Sequence, residues 1–273
     1  MKRKILSKFP LHKPFEAQKP TTPLSEVALR LVVNFFSDAP YVVGTATVIS
    51  GFLAITAKHV FEDIPDAKYL AVPQEGSQSP VEMETHLAVV QVIMRGAEPE
   101  YLIWDVKDAT LDPSSDIALL HLAANPHRSH PNNTHEWWSP VVMSFPPEIG
   151  GSIAAFGYRL SSVVASKNAE GGNHIDLNDE PMVSIGVVRE IYEWKRDNVM
   201  LPFPCYRVEA RFDGGMSGGP VYDETGALCG IVCANIGGSH LDGEPVSYVT
   251  TLWPIFRLMV EFNRGDNYPR DVT

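Results

Sequence analysis

Apolar residues in this chain fall in short runs at alternating positions, separated by Gly, Pro, Asp and Ser. From about Ser25 the runs are ALRLVVNFF, YVVGTATVIS, FLAITAKHVF, KYLAVPQ, HLAVVQVIM, YLIWDV and DIALLHL. Val, Ile, Thr and aromatics fill them, residue types that suit a pleated, half-buried surface, so each predicts a β-strand. Short strands at this spacing point to a sandwich or a barrel. The polar stretch AANPHRSHPNNTHEWWSP, broken by Pro126 and Pro131, then reads as a linker. A second β series follows: SIAAFGYRL, MVSIGVVREIYEW, CYRVEARF, GPVYDE, ALCGIVCANI and VSYVTTL, with SKNAEGGNHIDLNDEP predicting a loop between the first two. In TLWPIFRLMVEFNRG, Ile255, Leu258, Met259 and Phe262 recur at three and four residues, which predicts a helix opening at Pro254 and ending at Gly265. Pro10, Pro14, Pro20 and Pro23 keep the first segment from forming an ordinary helix. The predicted layout is an extension over 1–26, a β unit over 27–125, a linker over 126–140, a second β unit over 141–252, and a helix with its tail over 253–273.

Composition narrows the classes. With 273 residues and 44% hydrophobic, the chain can bury a sizeable core. No apolar run approaches the eighteen or so residues of a membrane span, and ILSKFPL is too short and broken to be the apolar core of a signal peptide. The expected location is therefore cytoplasmic, with no membrane partner. The first 20 residues carry six Lys and Arg against one acid, so the other 253 hold 16 basic and 32 acidic residues. An acidic body argues against nucleic acid as a partner, and the basic segment reads as a solvated arm. Three cysteines, Cys205, Cys229 and Cys233, are too few for a disulfide framework and read as buried small hydrophobes. As alternating strand residues, Cys229 and Cys233 are expected to point the same way, too far apart to bridge.

The densest chemical signal is RFDGGMSGGPVYDE, which surrounds Ser217 with glycines. Glycine there provides positive φ or close backbone approach, so the amides matter as much as the hydroxyl. A serine nucleophile needs a base, and the base needs an acid to fix its tautomer. GMSGG also fits the G-x-S-x-G elbow of α/β-hydrolases, whose order is Ser, acid, His. After Ser217 only His240 remains, preceded by Asp223 and Glu224, which leaves no room for the intervening elements. Upstream, AITAKHVF sets His59 at the end of one apolar run and SSDIALLHL sets Asp116 just before another, 57 residues apart and with Ser217 101 residues further on. His127, His130 and His135 read as a loop rather than a zinc site, since no cysteine accompanies them. The NNT at Asn132 is a glycosylation sequon only in a secreted protein.

Together AITAKHVF, SSDIALLHL and GGMSGGPV resemble the three motifs of the chymotrypsin-like serine peptidases, TAAHC or TAAHV, DIALL and GDSGGP, in the same order. IAAFGYRL and GIVCANI resemble the strand opening that family's second barrel and its substrate-pairing strand. The resemblance spans about residues 27 to 264 and implies an all-β fold of two six-stranded antiparallel β-barrels with a C-terminal α-helix. It implies a serine endopeptidase acting through an acyl-enzyme on a protein or peptide substrate, without cofactor or metal. Ser217 would be the nucleophile, His59 the general base and then acid, and Asp116 the group orienting His59. The amides of Gly215 and Ser217 would form the oxyanion hole, Gly214 and Gly215 turning those amides inward and Gly218 and Gly219 leaving room for the substrate carbonyl. The alternative is a protease-fold binding module that does not cleave.

Several departures shape the expectation. No cysteine lies near His59, which places the chain nearer bacterial trypsin-like and HtrA-type proteases than secreted ones. Met216 stands where digestive members carry an acid that pairs with a newly cleaved N-terminus, so activation by such cleavage is not expected, and control would come through loop ordering or a regulatory protein partner. The substrate-binding pocket would have Arg211 at its base and Cys233, Ala234, Asn235 and Val246 in its walls. Those residues lean towards a small, apolar or acidic P1 side chain rather than a basic one.

Overall fold

In the computed structural model the described residues are 13–18, 23–35, 39–62, 64, 86–95, 98–124, 139–167, 173–234 and 245–264. The expected strand over 68–74, most of the inter-barrel linker with its histidines and Asn132, and Asn235 lie outside them.

The alternating runs become strands whose two faces have different fates. β2 (Ala28–Val33), β3 (Tyr41–Ser50), β4 (Leu53–Thr56), β5 (Leu87–Arg95), β6 (Glu98–Leu111) and β7 (Ala118–Ala124) close a barrel in the order β2-β3-β4-β7-β6-β5. Leu29, Leu31, Ala46, Val48, Ile55, Val89 and Leu120 are fully or almost fully enclosed in its core. β8 (Ser152–Lys167), β9 (Asn173–Tyr192), β10 (Cys205–Val208), β11 (Pro220–Asp223), β12 (Leu228–Ala234) and β13 (Ser247–Thr250) form the second ring, closed by the pairing of β8 with β9. Ile153, Ala155, Met182, Tyr206, Phe212, Val221 and Val249 cluster in it. The opposite face of β8, with Phe156 and Tyr158, joins the first barrel's cluster together with Ile255 and Leu258 of helix α2 (Trp253–Arg264). Apolar burial of this kind, about 25 cal/mol per Å² removed from water, joins the barrels and the helix. Two six-stranded antiparallel barrels with a C-terminal helix is the fold that the motifs implied.

Three local readings are corrected. The segment predicted as a loop over 166–181 is mostly hairpin: β8 and β9 stay paired from Ser162↔Asn178 to Lys167↔Asn173. Its arm lies against the outside of the first barrel, where Val163 and Leu177 pack with Val32, Phe35, Ala88 and Val90. At its base Arg30, 2% exposed, is paired with Asp179 and stacked 3.8 Å from the Tyr158 ring centroid. Within the proline-bearing extension, Phe15–Ala17 form a strand, β1, antiparallel to β9 at Phe15↔Ser184 and Ala17↔Met182. Finally, Cys229 and Cys233 do not share a surroundings. Register shifts lie between Val221 and Tyr222 opposite β12, and between Val232 and Ala234 within it. Such an extra residue turns the chain over, and Cys229 joins the second barrel's core while Cys233 packs with Leu201, Phe203, Cys205 and Tyr248.

Candidate active site

His59 opens a single helical turn, α1 (His59–Glu62), immediately after β4. Asp116 precedes β7, and β4 pairs with β7 at Thr56↔Ala118, so the ladder itself carries the two residues together. His59 Nδ1 lies 2.8 Å from Asp116 Oδ2, and the His59 backbone N–H donates to Asp116 Oδ1 at 2.9 Å. One carboxylate thus fixes both the ring and the backbone. Asp116 is 2% exposed. Its turn is held from below by Asp112, wholly buried, which accepts from Ser114 and Ser115 and from Arg257 of α2. Lys58 Nζ donates to the Asp112 carbonyl at 3.1 Å.

Ser217 sits on the turn between residues 213 and 219, which belongs to the second barrel but is gripped by the first. Thr45 N–H donates to the Ser217 carbonyl at 2.9 Å, Thr45 Oγ1 to the Gly215 carbonyl at 2.9 Å, and Thr47 Oγ1 to the Gly218 carbonyl at 2.8 Å. Thr45 and Thr47 are two apart on β3 and so face the same way. Neither drew notice in the sequence, because their partners lie 170 and 171 residues away. With its carbonyl taken by Thr45, Gly215 has φ 91°, a value that favours glycine. The amides of Gly215 and Ser217 donate to no described residue.

The glycines after Ser217 have a different reason from the expected one. A Cβ on Gly218 (φ 84°) would stand 2.0 Å from the Thr45 carbonyl oxygen and 2.2 Å from Thr56 Oγ1. On Gly219 it would stand 2.1 Å from the Phe156 carbonyl oxygen. The space is filled by the protein's own barrels, not kept for a substrate.

Cys233 connects the two halves. Ser217 Oγ donates to the Cys233 carbonyl at 3.2 Å, while the Cys233 Sγ, a His59 ring nitrogen and an Asp116 oxygen all lie within 4.8 Å of one another. Burial pushes the Cys233 thiol well above its ordinary pKa, and the neighbouring Asp116 charge adds to this. Val246 packs beside Cys233 in the cluster with Phe203 and Tyr248, and Ala234 pairs with Tyr248 across β12 and β13.

Arg211 is placed differently from its companions in the expected pocket. It forms a two-point pair with Asp213, Nε to Oδ1 at 2.8 Å and a terminal nitrogen to Oδ2 at 3.0 Å. Arg159 reaches the same carboxylate at 2.9 Å and also Glu180. Burial alone would raise the Asp213 pKa, yet the two guanidinium groups hold it below the ordinary carboxylate range. Met216 is fully enclosed, and its sulfur accepts from Asp213 N–H at 3.4 Å.

A family model described as trypsin-like peptidase domain matches residues 44–231, more than half of the chain. No curated protein matches the sequence. Among solved structures, the MamO protease domain from Magnetospirillum magneticum is 14% identical, with 86% of this chain and 96% of that one covered and a TM-score of 0.50. The HtrA-type protease AlgW with tripeptide is 14% identical, with 88% and 61% covered and a TM-score of 0.50. An inactive form of Rv3671c from M. tuberculosis H37Rv is 18% identical, with 93% and 97% covered and a TM-score of 0.47. The first two likenesses concern the fold.

Proposed function

The chain belongs to the trypsin-like peptidase domain family, and on that premise we propose that it is a serine endopeptidase using His59, Asp116 and Ser217. The observation that carries this reading is the pair of hydrogen bonds that the Asp116 carboxylate accepts from His59, at 2.8 Å from the ring and 2.9 Å from the backbone. Holding Nδ1 in this way leaves the basic lone pair on Nε2, the nitrogen a general base uses. His59 takes the Ser217 proton as Oγ attacks the scissile carbonyl, and returns it to the leaving amine. Asp116 stabilises the imidazolium formed in between. The amides of Gly215 and Ser217 receive the oxyanion, each donor being worth about 3 kcal/mol in the transition state. Water then releases the acyl group from Ser217 by the same proton transfers in reverse.

The pocket reading favours an apolar P1 side chain. Cys233 and Val246 lie in an apolar cluster with Phe203 and Tyr248. Arg211 already has its charge matched by Asp213, so an acidic P1 gains less from it than the sequence suggested.

Ser217 Oγ also lies 3.2 Å from the Cys233 carbonyl, and a hydroxyl rotates to give its proton to the base as it attacks. Control of the enzyme falls to loop ordering or a regulatory protein partner, since Met216 offers no charged pair to a newly cleaved N-terminus. Mass-spectrometric profiling of a diverse peptide library tests the proposal, wild type beside Ser217→Ala. Cleavage by the wild type alone, after apolar residues, is expected. Equal cleavage by both, or by neither with any protein partner added, removes the enzyme reading and leaves a binding module.

A further inference from the structure

The turn that carries Gly215 and Ser217 is joined to the N-terminal strand by a continuous set of contacts. β1 is laid on β9 by its ladder, extended by Gln18 N–H to the Pro181 carbonyl and Ile185 N–H to the Pro14 carbonyl, both at 2.7 Å. The Phe15 ring lies 4.5 Å from the Arg211 guanidinium carbon and 5.5 Å from that of Arg159. Both guanidiniums bind Asp213, the first residue of the turn. The Asp213 carbonyl in turn accepts Met216 N–H at 3.2 Å. The Phe15 side chain also packs against the cluster that contains Phe212 and Met216, on either side of the two glycines. β8 is shaped for this arrangement: its register shifts between Arg159 and Ser162, with Leu160 at φ 51°. The shift comes just after Arg159, which still pairs with Glu180 in the register that runs from Ser152.

We propose that Phe15 is a positioning residue for the proposed reaction, holding Arg159 and Arg211 on Asp213 so that the amides of Gly215 and Ser217 keep their places. The ring lies against two cations, of which Arg211 is still half exposed, and a cation against an aromatic face is attracted to it. The two-point pair of Arg211 with Asp213 fixes direction as well as distance. Met216 cannot form a charged pair of its own, so Asp213 is the charged anchor of this turn, and the strand added to the edge of β9 completes it. The catalytic part of this inference rests on the serine peptidase reading; the ordering of the turn does not.

The test uses the full chain, with Phe15→Ala, Phe15→Tyr, Asp213→Asn and the Phe15→Ala/Asp213→Asn pair. Hydrogen exchange of peptides covering 212–219 is read first, since it needs no activity. Phe15→Ala should speed exchange there by about tenfold or more while the first barrel keeps its protection. On a peptide cleaved by the wild type, kcat and kcat/KM should fall together by about tenfold or more with KM little changed, the mark of an interaction made in the transition state. Phe15→Tyr should restore both readings, and Phe15→Ala should add little once Asp213 is Asn, because the two act through one path. Unchanged exchange over 212–219 in Phe15→Ala overturns the proposal, as do fully additive effects in the pair. If the wild type cleaves nothing, the exchange result still decides this inference while the peptidase reading fails separately. If Phe15→Ala loses protection throughout, Arg211→Gln replaces it, and unchanged exchange over 212–219 in that variant overturns the inference.

Discussion

Replacing Thr45 by valine removes a hydroxyl while keeping its volume, which isolates the grip of the first barrel on the nucleophile turn. Thr45 is fully buried. Its Oγ1 donates to the Gly215 carbonyl at 2.9 Å and accepts the Tyr158 N–H at 3.3 Å. Valine leaves that carbonyl and that amide without their partner in the interior. An abandoned buried polar group costs about 1–3 kcal/mol, and the longer bond sits at the low end, so roughly 2–3 kcal/mol of stability is lost. For a chain of 273 residues that corresponds to a fall in Tm of about 4–6 °C by scanning calorimetry. The same carbonyl belongs to the residue whose amide is proposed to receive the oxyanion. Full loss of one such donor costs about 100- to 1000-fold in kcat, so a loosened one should cost about 10- to 100-fold. Thr45→Ser, which keeps the hydroxyl, should stay within a few-fold of wild type. A Thr45→Val protein with lowered Tm but unchanged kcat would refute the idea that this bond sets the amides in place.

Other consequences follow from buried charge and burial. Asp179→Ala leaves the Arg30 guanidinium, 2% exposed, without its carboxylate, and breaking such a pair costs about 3–5 kcal/mol in denaturant unfolding; replacing both residues by apolar ones of similar size should recover most of that loss. Burial pushes the thiols of Cys205 and Cys229 up to about 12 and that of Cys233 well above its usual range. At about pH 8 the native protein should therefore take up no iodoacetamide, whereas three alkylations appear after denaturation, and a modified Cys233 in the native state would contradict its placement. Asp213 is held below the ordinary carboxylate range, and a hydrogen bond from Tyr192 together with Arg207 does the same for Glu190. A folded pKa below the unfolded one contributes stability that is present above about pH 4 and is lost as pH falls through the folded value. Urea midpoints should fall on acidification below that point, and less steeply in Asp213→Asn.

Much of this site could be read in the chain because its signals are short. AITAKHVF, SSDIALLHL and GGMSGGPV each need only local neighbours, and the alternation of small apolar residues marked the strands that became twelve barrel members. What escaped depends on distant partners. Thr45 and Thr47 look like any strand threonines until the turn around Ser217 arrives from 170 residues away. The arm of β8 and β9 reads as loop because it is polar and glycine-broken, yet Val163 and Leu177 are enough to lay it on the first barrel. β1 escaped because Pro14 and Pro20 enclose only five residues, of which the three in the strand show no alternation to detect, and pairing with an existing edge asks for very little sequence. Cys233 faced an unexpected way because a one-residue shift in β12 inverts every side chain beyond it.

The most direct test of the central claim is labelling by an alkyl fluorophosphonate, read by intact mass and peptide mapping, since it asks for an activated serine without needing the natural substrate. One adduct on Ser217 is expected in the wild type, lost in His59→Ala and strongly slowed in Asp116→Asn. An unlabelled Ser217 in a folded protein, or labelling that persists in His59→Ala, would contradict the proposed triad.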